Sequence, residues 1–442
     1  MIEPLARLLR PAGIAAALVL SSACAAHPKP SEAAAPAPIE APLAPARVSD
    51  EGVKALEARM TQFVADGQVK GIATRLIVDG KIVSDVTAGI RRASDNSPVA
   101  EDTIFRIYSM SKPVTGVALM MLYEQGAFTL DDPITKFVPE FASLRVMTGV
   151  TPEGAPILTD PEHIPTMREV MSHTAGFAYG LFGDDPANTA FREQKILSSP
   201  DLDKFIGKVA EVPLLFQPGK AWSYSASVDV QGYVVQKISG QSFGSFLDTR
   251  LFGPLGMKDT GFYVPEADVD RFSDVFGYTD KAPGLVPFSV PQVAFRKETI
   301  GMESGGGGLV STMDDYTRFA QMLLNEGELN DVRVLKPETV RLMRTNMLPP
   351  GAALFSDGSG AALNTAGLAF GLNLGLIEDP AASGRPQGAG SYFWGGAAGT
   401  WFWVDPQNDV IFIGMIQRFA TGGPNVDFSG ESGKLVYGAL QK

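Results

Sequence analysis

The chain has 442 residues, 45% of them apolar, so it can bury a large core as one large domain or two and is no disordered polymer. Its 37 basic and 49 acidic residues give a net charge of −12, with no basic tract suited to a phosphate backbone, which argues against nucleic acid as a partner. One cysteine excludes an intrachain disulfide, a thiolate metal cluster and a CxxC redox pair, and three histidines leave little for a metal site or a histidine-based triad.

Residues 1–25 place Arg7 and Arg10 ahead of the apolar run from Ala12 to Leu20, followed by Ser21, Ser22, Ala23, Cys24 and Ala25. This is the pattern of a secretory signal peptide, and the run is too short to span a bilayer as a helix. Cys24 resembles the acylated first residue of a bacterial lipoprotein, although Ser21 stands where an aliphatic residue is usual; ordinary cleavage after Ala23 or Ala25 is the alternative. The expectation is an exported protein, periplasmic or tethered to a membrane through a lipidated Cys24. Residues 26–45 are dominated by Pro, Ala, Ser and Glu, which predicts a semi-extended linker and a folded domain over 46–442.

Within that domain, Val53, Leu56, Met60, Phe63 and Val64 predict a helix over 52–67. The alternation Ile72 to Val78, Asp79-Gly80, Ile82 to Val86 predicts a β-hairpin. Val114, Val117, Ala118, Met121 and Leu122 mark one face of a helix from Pro113 to Gln125. Thr166 and Glu169 have capping-box spacing before a helix ending near Gly176, and Thr312 with Asp315 opens another that runs to Gly327. Val228 to Ile238 and Phe243 to Phe252 also read as helices. Strand character returns at Phe370 to Ile377, Tyr392 to Trp394, Gly399 to Val404 and Val410 to Ile416, and a last helix runs from Gly430 to Leu440. Strands at both ends with helices between them predict an α+β fold of the α/β class: one sheet from about 50–108 and 360–442, and a mostly helical part from about 109–359. A cleft between the two is the natural site.

Three segments could carry chemistry. Ser109-Met110-Ser111-Lys112 is an S-x-x-K directly before an amphipathic helix, which puts Lys112 one turn from Ser109 on the same face. A serine hydroxyl attacks only when a neighbouring base takes its proton, a partly buried lysine can serve or assist, and helix N-terminal N–H groups favour the negative charge of a tetrahedral intermediate. Without that chemistry Ser109 would be an N-cap and Lys112 a surface residue. The second segment is Trp222-Ser223-Tyr224-Ser225, after the turn at Gln217-Pro218-Gly219. The third is Trp394-Gly395-Gly396-Ala397, where two glycines would admit a substrate against the strand edge, or simply form a tight turn.

In order and spacing these segments resemble the serine β-lactamase-like superfamily: class C β-lactamases, penicillin-recognising peptidases and family VIII carboxylesterases. Phe105-Arg106-Ile107-Tyr108, Ser172-His173-Thr174-Ala175-Gly176 and Ser304-Gly305-Gly306-Gly307-Gly308-Leu309 extend the resemblance from about residue 50 to the C-terminus. It implies Ser109 as nucleophile, Lys112 as its partner, Tyr224 as the general base that returns a proton to the leaving group, and an oxyanion hole from the backbone N–H groups of Ser109 and Ala397. It also implies that no cofactor and no metal are needed.

Two departures bear on substrate. Tyr224-Ser225-Ala226 stands where β-lactamases carry tyrosine, any residue, asparagine, and Trp394-Gly395-Gly396 stands where they carry lysine, threonine, glycine. The side chains that hold the amide and carboxylate of a lactam are thereby lost, and a W-G-G strand is common in family VIII esterases. The expectation is a serine hydrolase that cleaves carboxylic esters of short acyl chains through a Ser109 acyl-enzyme, with weak β-lactam hydrolysis at most, and with Trp394, Gly395 and Gly396 binding a small neutral ester. A β-lactamase or D-amino-acid peptidase acting on the cell wall, and a non-catalytic sensor of the same fold, are the alternatives.

Gly240-Gln241-Ser242-Phe243-Gly244 matches the G-x-S-x-G of α/β-hydrolases, but no histidine follows Ser242. The run Gly305 to Gly308 lacks a P-loop lysine and is expected to permit close backbone approach near the cleft. His173 is expected to be structural. Phe177, Tyr179, Phe182 and Tyr392 are candidates for lining the acyl or alcohol pocket.

Overall fold

Ser49 starts the first helix, Asp50–Ala65, by accepting a hydrogen bond from the Gly52 N–H, and Asp50 and Glu51 occupy the first turn, where negative charge is favourable. Leu56, Met60 and Phe63 form its buried stripe. The hairpin follows as Gly71–Val78 and Lys81–Gly89, with Asp79 and Gly80 both at positive φ in the turn. The computed structural model describes residues 47–279, 282–288, 295, 297, 300–352, 366–419 and 423–441. The leader, Cys24 and the linker lie outside the described residues.

One antiparallel sheet of seven strands organises the domain, in the order Leu368–Phe370, Gly375–Ile377, Ser391–Gly395, Trp401–Asp405, Val410–Ile416, Gly71–Val78, Lys81–Gly89. The N- and C-terminal parts of the chain meet where Ile72 to Val78 pair with Ile416 to Val410. These two strands are almost wholly buried, which accounts for the unbroken apolar run of Val410–Ile416, while Gly71–Val78 also buries Thr74 and Arg75. Asp50–Ala65 and Phe428–Ala439 pack together over one face, around Leu56, Phe63, Trp403, Phe412 and Phe428. Helix Met313–Leu324 covers the other face, capped by Thr312. There Arg75, buried on the sheet, pairs with Asp85 at 2.5 Å and with Asp314 at 2.6 Å.

The segments between the two halves of the sheet are mainly helical, as expected, and Ser111–Glu124 runs through the core with its first twelve residues buried. Two expectations are corrected. The helix after Thr166 is only Met167–Met171, because His173 takes a left-handed conformation that ends it. Phe370 to Ile377 is two short strands folded back on each other around Asn373, also at positive φ. The helix expected over Phe243 to Phe252 is present, as the α-helix Phe243–Leu247 continued by one π-helical stretch, Asp248–Phe252. The hairpins Val146–Val150/Pro156–Thr159 and Phe276–Thr279/Ala282–Pro287 had no clear signal in the sequence.

Candidate active site

Ser109 sits in a single 3₁₀ turn, Tyr108–Met110, that leads into helix Ser111–Glu124. It is not the N-cap of that helix: Met110 holds the position and makes no side-chain cap. Tyr108 has φ of +42°, unusual for a bulky residue, and ring contacts with Phe419 at 5.7 Å and Phe295 at 6.3 Å hold it there. Burial pushes the Tyr108 hydroxyl up to about 12, so it stays protonated near neutral pH.

Lys112 is fully buried and far from a surface residue. Its ammonium lies 2.6 Å from the Gly306 carbonyl, 3.2 Å from the Tyr179 hydroxyl and 3.4 Å from the Ser109 hydroxyl. Three donors thus meet three acceptors, the arrangement that best satisfies a charged lysine. The Tyr224 ring lies over the same ammonium, with its centroid 4.4 Å away. Among the described residues no hydrogen bond joins the Tyr224 hydroxyl to Ser109 or Lys112; the tyrosine oxygen in that contact belongs to Tyr179.

The glycine run closes this arrangement from one side. Thr115 donates to the Gly305 carbonyl at 2.8 Å and the Ser111 hydroxyl accepts from Leu309 N–H at 3.1 Å, so the run is stapled along the same helix. Asp229, fully buried in helix Ser227–Ser239, accepts from the Ser304 hydroxyl at 2.5 Å and from Gly306 N–H at 3.1 Å. Burial raises its carboxyl above the usual range, and the Lys112 charge works against that rise. A Cβ at Gly306 would lie 2.6 Å from the Asp229 carboxylate and 3.0 Å from the Tyr179 hydroxyl, so close approach is what this glycine provides. Burial first, and then the charges of Asp229 and Tyr224, hold the Tyr179 hydroxyl well above its ordinary value.

Tyr224 is partly exposed and stands in an aromatic cluster: His173 at 5.2 Å, Tyr179 at 5.4 Å, Trp394 at 5.7 Å and Trp222 at 6.2 Å between ring centroids. Trp394 is only 6% exposed, and its ring packs against Phe370 as well as Tyr224. The turn after strand Ser391–Gly395 folds against the segment that carries Ser109. Thr400 donates to the Ile107 carbonyl at 3.3 Å, and a Cβ on Gly396 would collide with that same carbonyl. At Gly396 the close approach is therefore made by the chain's own backbone, two residues before Ser109, and the turn brings Ala397 to the same end of the sheet.

Of the aromatic candidates, Phe182 is 51% exposed and 6.4 Å from the Tyr224 ring, beside Leu181 at 54%. Phe177 and Tyr392 are core residues: Phe177 packs on Phe141 at 5.2 Å, and Tyr392 is enclosed within the sheet. Ser242 is the N-cap of Phe243–Leu247, accepting from Ser245 N–H at 3.2 Å. His163 is an exposed partner of Glu169 at 2.8 Å. Sequence reasoning did not single out Asp229, whose only signal was an acidic residue on the apolar, core-facing helix Ser227–Ser239.

Comparison with known proteins agrees with this geometry. The Beta-lactamase family model matches residues 56–428. Protein Rv1367c of Mycobacterium tuberculosis (strain ATCC 25618 / H37Rv) is 36% identical over 374 residues, 82% of this chain and 89% of the relative. Esterase EstB of Burkholderia gladioli is 30% identical over 402 residues, 86% of this chain and 92% of the relative. Among solved structures, EstCE1, described as a hydrolase with promiscuous acyltransferase activity, shares the fold with a TM-score of 0.70 at 24% identity, covering 89% of this chain and 99% of its own. With the sheet, the S-x-x-K turn and the glycine run in place, the chain belongs to the β-lactamase family.

Proposed function

We infer that the protein is a serine hydrolase that cleaves uncharged carboxylic esters of short acyl chains through an acyl-enzyme on Ser109. The observation that carries this reading is the buried ammonium of Lys112, which faces the Ser109 hydroxyl and the Tyr224 ring at once. The resemblance to Esterase EstB along most of both chains supports an ester substrate.

In this reading Ser109 Oγ attacks the ester carbonyl and its proton passes to the Tyr224 oxygen. Lys112 offsets the negative charge that develops beside it, and the N–H groups of Ser109 and Ala397 receive the oxyanion. Collapse breaks the bond to the leaving alcohol, whose oxygen takes the proton back from Tyr224. Water then attacks the acyl carbonyl and gives a proton to Tyr224, the bond to Ser109 Oγ breaks, Oγ takes that proton, and the carboxylic acid leaves. Tyr179 fits the base role less well, because burial and Asp229 favour its protonated form. Trp394 stands where lactam-cleaving relatives carry lysine, and with Phe182 and Leu181 it gives the cleft an apolar character suited to a neutral ester. Export to the periplasm, with or without a lipid on Cys24, is part of the same proposal.

The test is mass spectrometry of the protein quenched during turnover of a p-nitrophenyl ester. An acyl adduct on the peptide holding Ser109 is the expected result; an adduct on the Ser242 peptide, or turnover that survives Ser109→Ala, would contradict it.

A further inference from the structure

We propose that His173 is a positioning residue that fixes Tyr224 by gripping the peptides on both sides of it, an inference that rests on reading Tyr224 as the proton acceptor. The His173 carbonyl accepts from Ser223 N–H at 3.0 Å, and its Nδ1 accepts from Ser225 N–H at 3.2 Å. Those are the residues immediately before and after Tyr224. The Ser225 hydroxyl adds a second contact to Nδ1 at 2.8 Å and is itself held by the Ser227 hydroxyl at 2.8 Å, at the start of helix Ser227–Ser239. One residue therefore ties a partly exposed tyrosine in an irregular segment to the frame of the domain.

The shape of His173 suits this task. Its φ of +60° turns the backbone so that carbonyl and ring reach the same stretch of chain, and histidine is among the residues that tolerate this conformation. Because Nδ1 accepts a backbone N–H, the proton of the neutral ring is on Nε2, which is buried without a hydrogen-bond partner among the described residues. A buried N–H left without a partner is destabilising, so histidine is a poor choice for packing alone. Burial, and then the Lys112 charge, hold the ring well below its ordinary value, so it stays neutral and Nδ1 stays an acceptor. Contacts with Trp222 at 5.7 Å and Phe370 at 5.4 Å fix the plane of the ring.

The experiment is a double-mutant cycle on a short-chain p-nitrophenyl ester, with kcat, KM and melting temperature recorded for each variant. His173→Leu should lower kcat about 100-fold with KM within threefold. His173→Asn, which offers an amide oxygen in the place of Nδ1 and tolerates positive φ, should recover all but about 10-fold. In a Tyr224→Phe background His173→Leu should have almost no further effect on kcat, because the group it positions is gone. If the leucine variant does not fold, Ser225→Ala takes its place, with a loss of about fivefold that vanishes in the Tyr224→Phe background. Equal and additive losses in both backgrounds, a loss confined to KM, or an asparagine variant no better than leucine would overturn the proposal. A Tyr224→Phe variant that keeps wild-type kcat would instead remove the base assignment beneath it.

Discussion

Gly306 and Asp229 are joined through a single peptide: the Gly306 N–H reaches the Asp229 carboxylate at 3.1 Å, while the Gly306 carbonyl accepts from Lys112 at 2.6 Å. A buried carboxylate thus holds the loop that holds the buried ammonium, and neither charge reaches solvent. Gly306→Ala should disturb both, because its Cβ would meet the Asp229 carboxylate and the Tyr179 hydroxyl. The expected cost is about 1–3 kcal/mol of stability, read as a lower melting temperature, together with a clear loss of kcat. A variant as stable and active as wild type would show that the loop tolerates a methyl group there.

The two tyrosines near Lys112 should separate by mutation. Tyr224→Phe removes the proposed base and should lower kcat/KM by roughly 10²–10⁴. Tyr179→Phe removes only one of three acceptors around Lys112, and a loss of about 10-fold is expected. Steady-state kinetics of both variants on one ester decides the order; a larger loss at Tyr179 would move the base to it.

The two candidate serines should behave in opposite ways. Ser109→Ala should abolish turnover while circular dichroism and melting temperature stay near wild type. Ser242→Ala should keep full activity and lose about 1 kcal/mol of stability through its helix cap. Activity assays and thermal melts on both variants check this.

Stability should depend on Asp315 in mildly acid solution. It is buried in helix Met313–Leu324 and accepts from Asp259 N–H at 2.7 Å and Thr260 at 2.8 Å, yet burial lifts its carboxyl to about 6. Its folded value lies above the unfolded one of 3.8, so between about pH 4 and 6 the folded state holds the proton more tightly and stability falls as pH rises. Melting temperatures at pH 5 and 7 should show part of that fall, and Asp315→Asn should remove its share of it. An unchanged slope in the variant would contradict the assignment.

Much of this was legible in the sequence, because periodicity reports burial directly. The hairpin expected over 72–86 and the strand Val410–Ile416 are alternating or apolar runs, and the structure keeps them within three residues, the hairpin running from Gly71 to Gly89. The S-x-x-K turn was legible because Ser109 and Lys112 are close in sequence. Asp229 was not, since its partners Ser304 and Gly306 lie some 75 residues away and only the fold brings them together. The early end of the helix after Thr166 escaped for a related reason: the left-handed His173 is set by contacts with Ser223 and Ser225, not by local propensity. Trp394 read from sequence as a binding residue, and its place behind the Tyr224 ring became visible only in three dimensions.

The most direct test of the central claim is a side-by-side assay of residues 46–442 on a short-chain p-nitrophenyl ester and a chromogenic cephalosporin, with Ser109→Ala as control. Rapid ester turnover, weak or absent cephalosporin turnover and loss of both in the control is the predicted result. Preferential cephalosporin hydrolysis would contradict it and show that the cleft holds an anionic lactam without the lysine that Trp394 replaces.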